Sequence, residues 1–90
     1  RIYIDHGASK ALKSGKSLLP AGIIGVSGSF KKGDNILIVG ENNENIARAL
    51  SSFTSEEIKK IKGLQSVQIE NILGYPSKSE IVHKNDIVIL

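Results

Sequence analysis

Short apolar runs separated by glycine- and charge-rich turns occupy the whole chain, and their period switches between that of a strand and that of a helix. Ile2-Tyr3-Ile4 reads as a short strand. Asp5 can then cap a helix over residues 6–14, where Ala8, Ala11 and Leu12 share one face and Lys10 and Lys13 point the opposite way. Gly15 supplies the left-handed stop. Ile23 to Phe30 reads as a strand punctuated by Gly25 and Gly28, which suggests bulges or a close backbone approach. A Lys31-Lys32-Gly33-Asp34 turn leads to a strand over Asn35–Val39. A second turn, Glu41-Asn42-Asn43-Glu44, uses the tolerance of asparagine for positive φ and returns the chain as a partner strand over Ile46–Leu50.

The clearest helix opens at Thr54. Glu57 stands three residues later, the pattern of a capping box, and Phe53 and Ile58 occupy the staple positions on either side. Gly63 stops it. Ser66 begins another short helix carrying Val67, Ile69, Ile72 and Leu73, closed by Gly74 with Pro76 beyond. Ile81–His83 and Ile87–Leu90 read as final strands around a Lys84-Asn85-Asp86 turn. The runs Ile36-Leu37-Ile38-Val39 and Ile87-Val88-Ile89-Leu90 lack alternation, which predicts strands covered on both faces, as in a small closed or nearly closed barrel with helices packed on it. With no internal repeat, low-complexity stretch or linker, residues 1–90 are expected to form one α+β unit with a mostly β core.

Composition narrows the chemistry. Ninety residues suit one domain, and the absence of cysteine leaves no disulfide framework, thiolate metal site or thiol nucleophile. Hydrophobic residues make up 40% of the chain with only four aromatics, so the core must be aliphatic. No apolar run approaches the ~20 residues of a membrane span, so no membrane association is expected. The chain starts on a strand without an initiator methionine and shows neither a signal nor a transit peptide, as expected of a piece of a longer, intracellular protein. The net charge of +3 is uneven: residues 1–40 set Arg1, Lys10, Lys13, Lys16, Lys31 and Lys32 against Asp5 and Asp34, and the remainder is close to neutral. A basic half is compatible with a phosphate-bearing partner and equally with a solvated surface.

Few residues offer catalysis. Gly15-Lys16-Ser17 imitates a phosphate-binding loop, but that loop needs a glycine five residues before the Gly-Lys-Ser, where this chain has Lys10, and Pro20 interrupts the helix that should follow. The spacing G-x-G-x-x-G never occurs. Glu56 and Glu57 are read as helix N-terminal acids rather than a catalytic pair. His6 reads as a first-turn helix residue, His83 as a half-exposed strand residue, and Arg48 as a candidate for structural or interdomain pairing. Tyr3, Phe30, Phe53 and Tyr75 are too scattered to form a base-stacking platform. No catalytic residue and no metal ligand is assigned.

Several segments, in order and at matching spacings, resemble one family. Gly7-Ala8, Lys10-Ala11-Leu12 and Gly15-Lys16-Ser17-Leu18-Leu19-Pro20-Ala21-Gly22-Ile23 form its most distinctive stretch. Gly33-Asp34, Ile46-Ala47-Arg48-Ala49-Leu50, Ser55-Glu56-Glu57-Ile58, Ile61-Lys62-Gly63-Leu64, Ile72-Leu73-Gly74-Tyr75 and Val82-His83 with Asn85-Asp86 follow it to the end. The family is the C-terminal PUA domain of bacterial glutamate 5-kinases. The resemblance implies a PUA-like pseudobarrel of about five to six strands with two to three short helices. It implies a cytoplasmic, oligomeric parent that phosphorylates the γ-carboxylate of L-glutamate with ATP and magnesium, the proline-inhibited first step of proline biosynthesis. That chemistry would belong to an N-terminal amino-acid-kinase domain, leaving this segment without cofactors and with a regulatory or assembly role.

PUA domains generally bind structured RNA through the first helix and the glycine-rich segment after it. Carried over, that surface would involve Lys10, Lys13, Lys16, Ser17 and the backbone at Gly22, extended by Lys31 and Lys32. The same lysines also fit the solvated side of an amphipathic helix. An RNA-binding module of an RNA-modifying enzyme is the alternative reading. The family commonly has glycine at the position of Ala49, so a role needing bare backbone there is in doubt.

Overall fold

The computed structural model describes residues 1–90. Five strands form one mixed sheet: β1 (Ile2–Ile4), β2 (Ile23–Val26), β3 (Asn35–Val39), β4 (Asn45–Leu50) and β5 (Ile87–Ile89), in the spatial order β2-β1-β3-β4-β5. β1 and β3 run parallel and every other pair is antiparallel. Three helices, α1 (His6–Lys13), α2 (Ser55–Ile61) and α3 (Ile69–Leu73), join three 3-10 turns at Pro20–Gly22, Ser66–Gln68 and Lys84–Asp86. The expected α+β class, strand number and helix number all hold.

The local signals act as their chemistry dictates. The Asp5 carboxylate accepts from the Ala8 amide at 2.8 Å and starts α1, while Gly15, at φ +85°, ends the helix in the left-handed region. Asn43 adopts φ +60° in the β3–β4 turn. Thr54 and Glu57 make the reciprocal capping box, and the staple residues Phe53 and Ile58 are both buried.

Alternation along the strands sets the core. Ile2 and Ile4 of β1, Ile36 and Ile38 of β3, and Ala47 and Ala49 of β4 face inward. Against them pack Leu12 of α1, Ile23 of β2, Ile58 and Ile61 of α2, Ile69 of α3, and Leu18, Phe53, Ile81 and Val82 from the connections. Ala49 therefore fills core space and presents no bare backbone outward.

Four expectations need correction. The strand from Ile23 ends at Val26 rather than Phe30, because Gly28 takes φ +80° and breaks the extended path. Ile81–His83 is no strand: Val82 makes an isolated bridge to Leu18, and His83 instead caps the last 3-10 turn, its Nδ1 accepting from the Asn85 amide at 3.1 Å. The segment from Ser66 starts as a 3-10 turn, leaving Val67 85% exposed. Ile87–Leu90 is not covered on both faces: β5 is an edge strand with one neighbour, β4, and its outward side chains meet solvent. A continuous apolar run reports hydrophobicity, not the number of covering layers.

One polar contact ties α2 to the end of α3. Glu57 accepts from the Thr54 amide at 2.8 Å through Oε1 and from the Tyr75 hydroxyl through Oε2. Burial works to raise the Glu57 pKa, but the hydrogen bonds from Tyr75 and Thr54 and the charge of Lys32 outweigh it and hold the carboxyl below its usual range. The bond to Glu57 in turn raises the Tyr75 phenol. A depressed folded-state value stabilises fully above the unfolded glutamate pKa of about 4.3 and is lost as pH falls through the lower folded value. Glu57→Gln is therefore expected to flatten the acid limb of the stability curve below about pH 5. Urea midpoints across that range check it, and an acid limb matching wild type would refute it.

Candidate functional site

A concavity of about 690 Å³ lies beside α1. One wall is the α1 face bearing Gly7, Ala8 and Ala11. The second is the segment from Gly15 to Gly22, and the third is the late stretch Glu80, His83 and Lys84. Backbone bonds hold these walls together. Leu18 and Val82 bridge through Leu18 N–H donating to Val82 O at 3.0 Å and Ile81 N–H donating to Leu18 O at 2.8 Å. The Asp5 amide donates to Gly22 O at 2.9 Å, and the Gly63 amide donates to Pro20 O at 2.7 Å, anchoring the glycine-rich segment to α1 and α2. The Ser17 hydroxyl accepts from the Lys84 amide at 2.9 Å across 67 residues of sequence.

Gly22 is what lets the walls meet. A Cβ there would stand 2.5 Å from the Ala8 Cβ, closer than carbon atoms tolerate.

Three amides of the look-alike phosphate loop are already engaged. The Gly15 amide donates to Leu12 O at 3.0 Å, the Lys16 amide to Ala11 O at 3.0 Å and the Leu18 amide to Val82 O. Helix termination and the bridge thus take N–H groups that a phosphate cradle would aim at its ligand.

Of the sequence-derived candidates, Lys16, Ser17 and Gly22 line the groove together. Lys10 and Lys13 lie in the last turn of α1, exposed and outside that lining. Lys31 and Lys32 lie elsewhere: Lys32 borders a separate depression of about 360 Å³ with Ser51, Phe53 and Lys78, and its charge acts on Glu57. Of the basic residues in the first half, only Lys16 therefore lines the groove. Within the groove, Lys16 and Lys84 are matched by Asp5 and Glu80. Sequence reasoning missed Glu80, His83 and Lys84, because only the Leu18–Val82 bridge brings them to α1. No three His, Asp or Glu side chains gather as a metal site, and no helix is long and apolar enough to cross a membrane.

A five-stranded mixed sheet with β1 inserted between β2 and β3, and a glycine-lined groove beside the first helix, defines a PUA-like module. The chain belongs to the PUA domain family, whose model matches residues 1–73. It is similar to the curated "Glutamate 5-kinase" of Brucella anthropi (45% identity over 99% of this chain), of Bartonella henselae (49% over 98%) and of a Thermoanaerobacter strain (45% over 100%). It spans only 24%, 23% and 24% of their respective lengths. Among solved structures it is similar to a PUA domain from Aeropyrum pernix K1 in a tartrate complex, with a TM-score of 0.69 and 23% identity over 91% of this chain and 39% of that one. A conserved PUA domain protein from Thermoplasma acidophilum gives a TM-score of 0.62 and 21% identity over 91% of this chain and 46% of that one. These likenesses show the fold.

Proposed function

We propose that the chain is the C-terminal PUA module of a cytoplasmic glutamate 5-kinase and serves that enzyme in regulation or assembly. The observation that carries this reading is 45–49% identity along nearly the whole chain to enzymes about four times its length. In that reading an amino-acid-kinase domain in the same polypeptide transfers the γ-phosphoryl group of ATP to the γ-carboxylate of L-glutamate, opening proline biosynthesis. In-line phosphoryl transfer needs magnesium held by carboxylates and cations clamped on the transferring group. The groove residues do not fit that requirement: Asp5 is committed to capping α1, and the amides of Gly15, Lys16 and Leu18 are already bonded. No step of the transfer is assigned to this module.

RNA contact is a second property implied by the family, and its place here would be Lys16, Ser17, the backbone at Gly22 and the added Lys84. Lys10 and Lys13 would flank it, and Lys31 and Lys32 would not take part. The balanced charge of the groove supports the accessory role ahead of RNA binding, because polynucleotide affinity rests on unopposed cations.

Deleting residues 1–90 from the full-length enzyme tests the accessory role. Glutamate phosphorylation is expected to persist, with an altered magnesium response and oligomeric state; kinetics, magnesium response and assembly all unchanged would overturn it. For RNA, the full-length protein should retain a structured RNA at low salt, with Lys16→Glu lowering the salt slope by about 1. No retention at low salt would end that reading.

A further inference from the structure

The face of the sheet turned away from the core carries side chains that the fold does not use. Cross-strand register puts Leu37 of β3, Arg48 of β4 and Val88 of β5 in one row, opposite in facing to Ile36, Ile38, Ala47 and Ala49. Leu50 lies two residues beyond Arg48 on the same face, and Leu90 prolongs β5 through its amide, which donates to Ile46 O at 3.0 Å. Val88 is 66% exposed, Leu90 63% and Leu50 44%.

Arg48 stands among them with no carboxylate within 4.0 Å. Its one polar contact is a long 3.5 Å approach of Nη1 to Asn35 Oδ1, and the molecule's single ion pair, Lys59–Glu56, is elsewhere. The outer edge of β5 has no strand partner and no charged residue to guard it. A free sheet edge is ordinarily blunted by lysine, proline or a bulge. Contiguous exposed apolar side chains around an unpaired arginine are the composition of a contact surface rather than of a solvated one.

The path of the chain says what covers it. Ile2 pairs with Ile38, Ile38 with Ala47, and Ala47 with Ile89. One residue earlier, Arg1 falls level with the Leu37–Arg48–Val88 row, so any polypeptide preceding Arg1 reaches the sheet at this patch. In relatives about four times as long, roughly three quarters of the length lies outside the matched segment. We propose that this outer face, centred on Arg48, docks against the amino-acid-kinase domain of the same polypeptide through an apolar surface that presents a carboxylate to Arg48. This rests on the reading of the chain as a glutamate 5-kinase module, and it names the face that module uses.

The absence of native cysteine in this segment makes the test direct. In the full-length protein, Val88→Cys and Val67→Cys would each be labelled with a soluble maleimide, the modified site being read by peptide mass spectrometry. Val67, 85% exposed on its 3-10 turn, is the control. Val88→Cys is expected to react at least about tenfold more slowly than Val67→Cys in the native protein and at the same rate in urea. The protection should survive dilution, and Arg48→Glu should abolish it while the circular dichroism of the protein stays unchanged. Equal native rates would overturn the proposal. Protection lost on dilution would also overturn it, by assigning the face to a second copy. Glutamate phosphorylation by the same protein is measured alongside: its absence would remove the kinase reading, whereas its presence with an unprotected Val88 would remove only the docking face.

Discussion

Phe53→Ala is expected to cost about 3–5 kcal/mol, the range for truncating a buried aromatic. Phe53 is 1% exposed and is the largest fully buried side chain. It joins the end of β4 to the start of α2, and its ring contacts the core that includes Ile58, its partner across the Thr54 cap. Its backbone is held as well: the Phe53 amide donates to Ser51 Oγ at 3.2 Å, and that hydroxyl donates to Phe53 O at 2.6 Å. A small domain has about 5–15 kcal/mol of net stability, so this one substitution should remove much of it. Urea unfolding of the 90-residue chain measures it, and a loss below about 1 kcal/mol would show that Phe53 is not the keystone of the β4–α2 junction.

Gly22→Ala is expected to cost about 1–3 kcal/mol, and Gly22→Val more, by forcing apart two walls of the groove. The new Cβ would lie 2.5 Å from the Ala8 Cβ, and both neighbours are held by backbone bonds that resist retreat. Removing the opposing methyl should relieve the clash, since the next atom, the Ala8 Cα, is at an ordinary 3.7 Å. Ala8→Gly alone should cost about 1 kcal/mol of helix propensity. In the Ala8→Gly background, Gly22→Ala should cost less than half of what it costs alone. A double-mutant cycle reads this coupling, and additive effects would mean that the contact is not what constrains Gly22.

Much of the architecture was legible because its causes are local. Asp5 before α1, Gly15 after it, Thr54 and Glu57 at the start of α2 and Asn43 in a hairpin turn each act through atoms within a few residues of themselves. The rejection of Gly15-Lys16-Ser17 as a phosphate loop rested on spacing, and the structure supplies its physical content in amides already spent on ending α1. Other readings failed where a long-range partner decided the outcome. Nothing near His83 announces that Val82 will bridge to Leu18, or that Lys84 will bind Ser17 through its backbone. Tyr75, taken as one of four scattered aromatics, became the hydrogen-bond donor that holds Glu57.

The amino-acid order alone settled the α+β class, the caps, the aliphatic core and the turns, since each depends on short-range sterics, hydrogen bonding or periodicity, and its ordered motifs carried the resemblance to a PUA domain. The tertiary structure decided which lysines share a surface, which strand lies at the edge and which side chains close the groove. A charge or an apolar run in sequence carries no direction; only packing assigns it a face. Lys16 was thereby separated from Lys31 and Lys32, and Val88 and Leu90 were turned out toward solvent while Ile87 packs against the core.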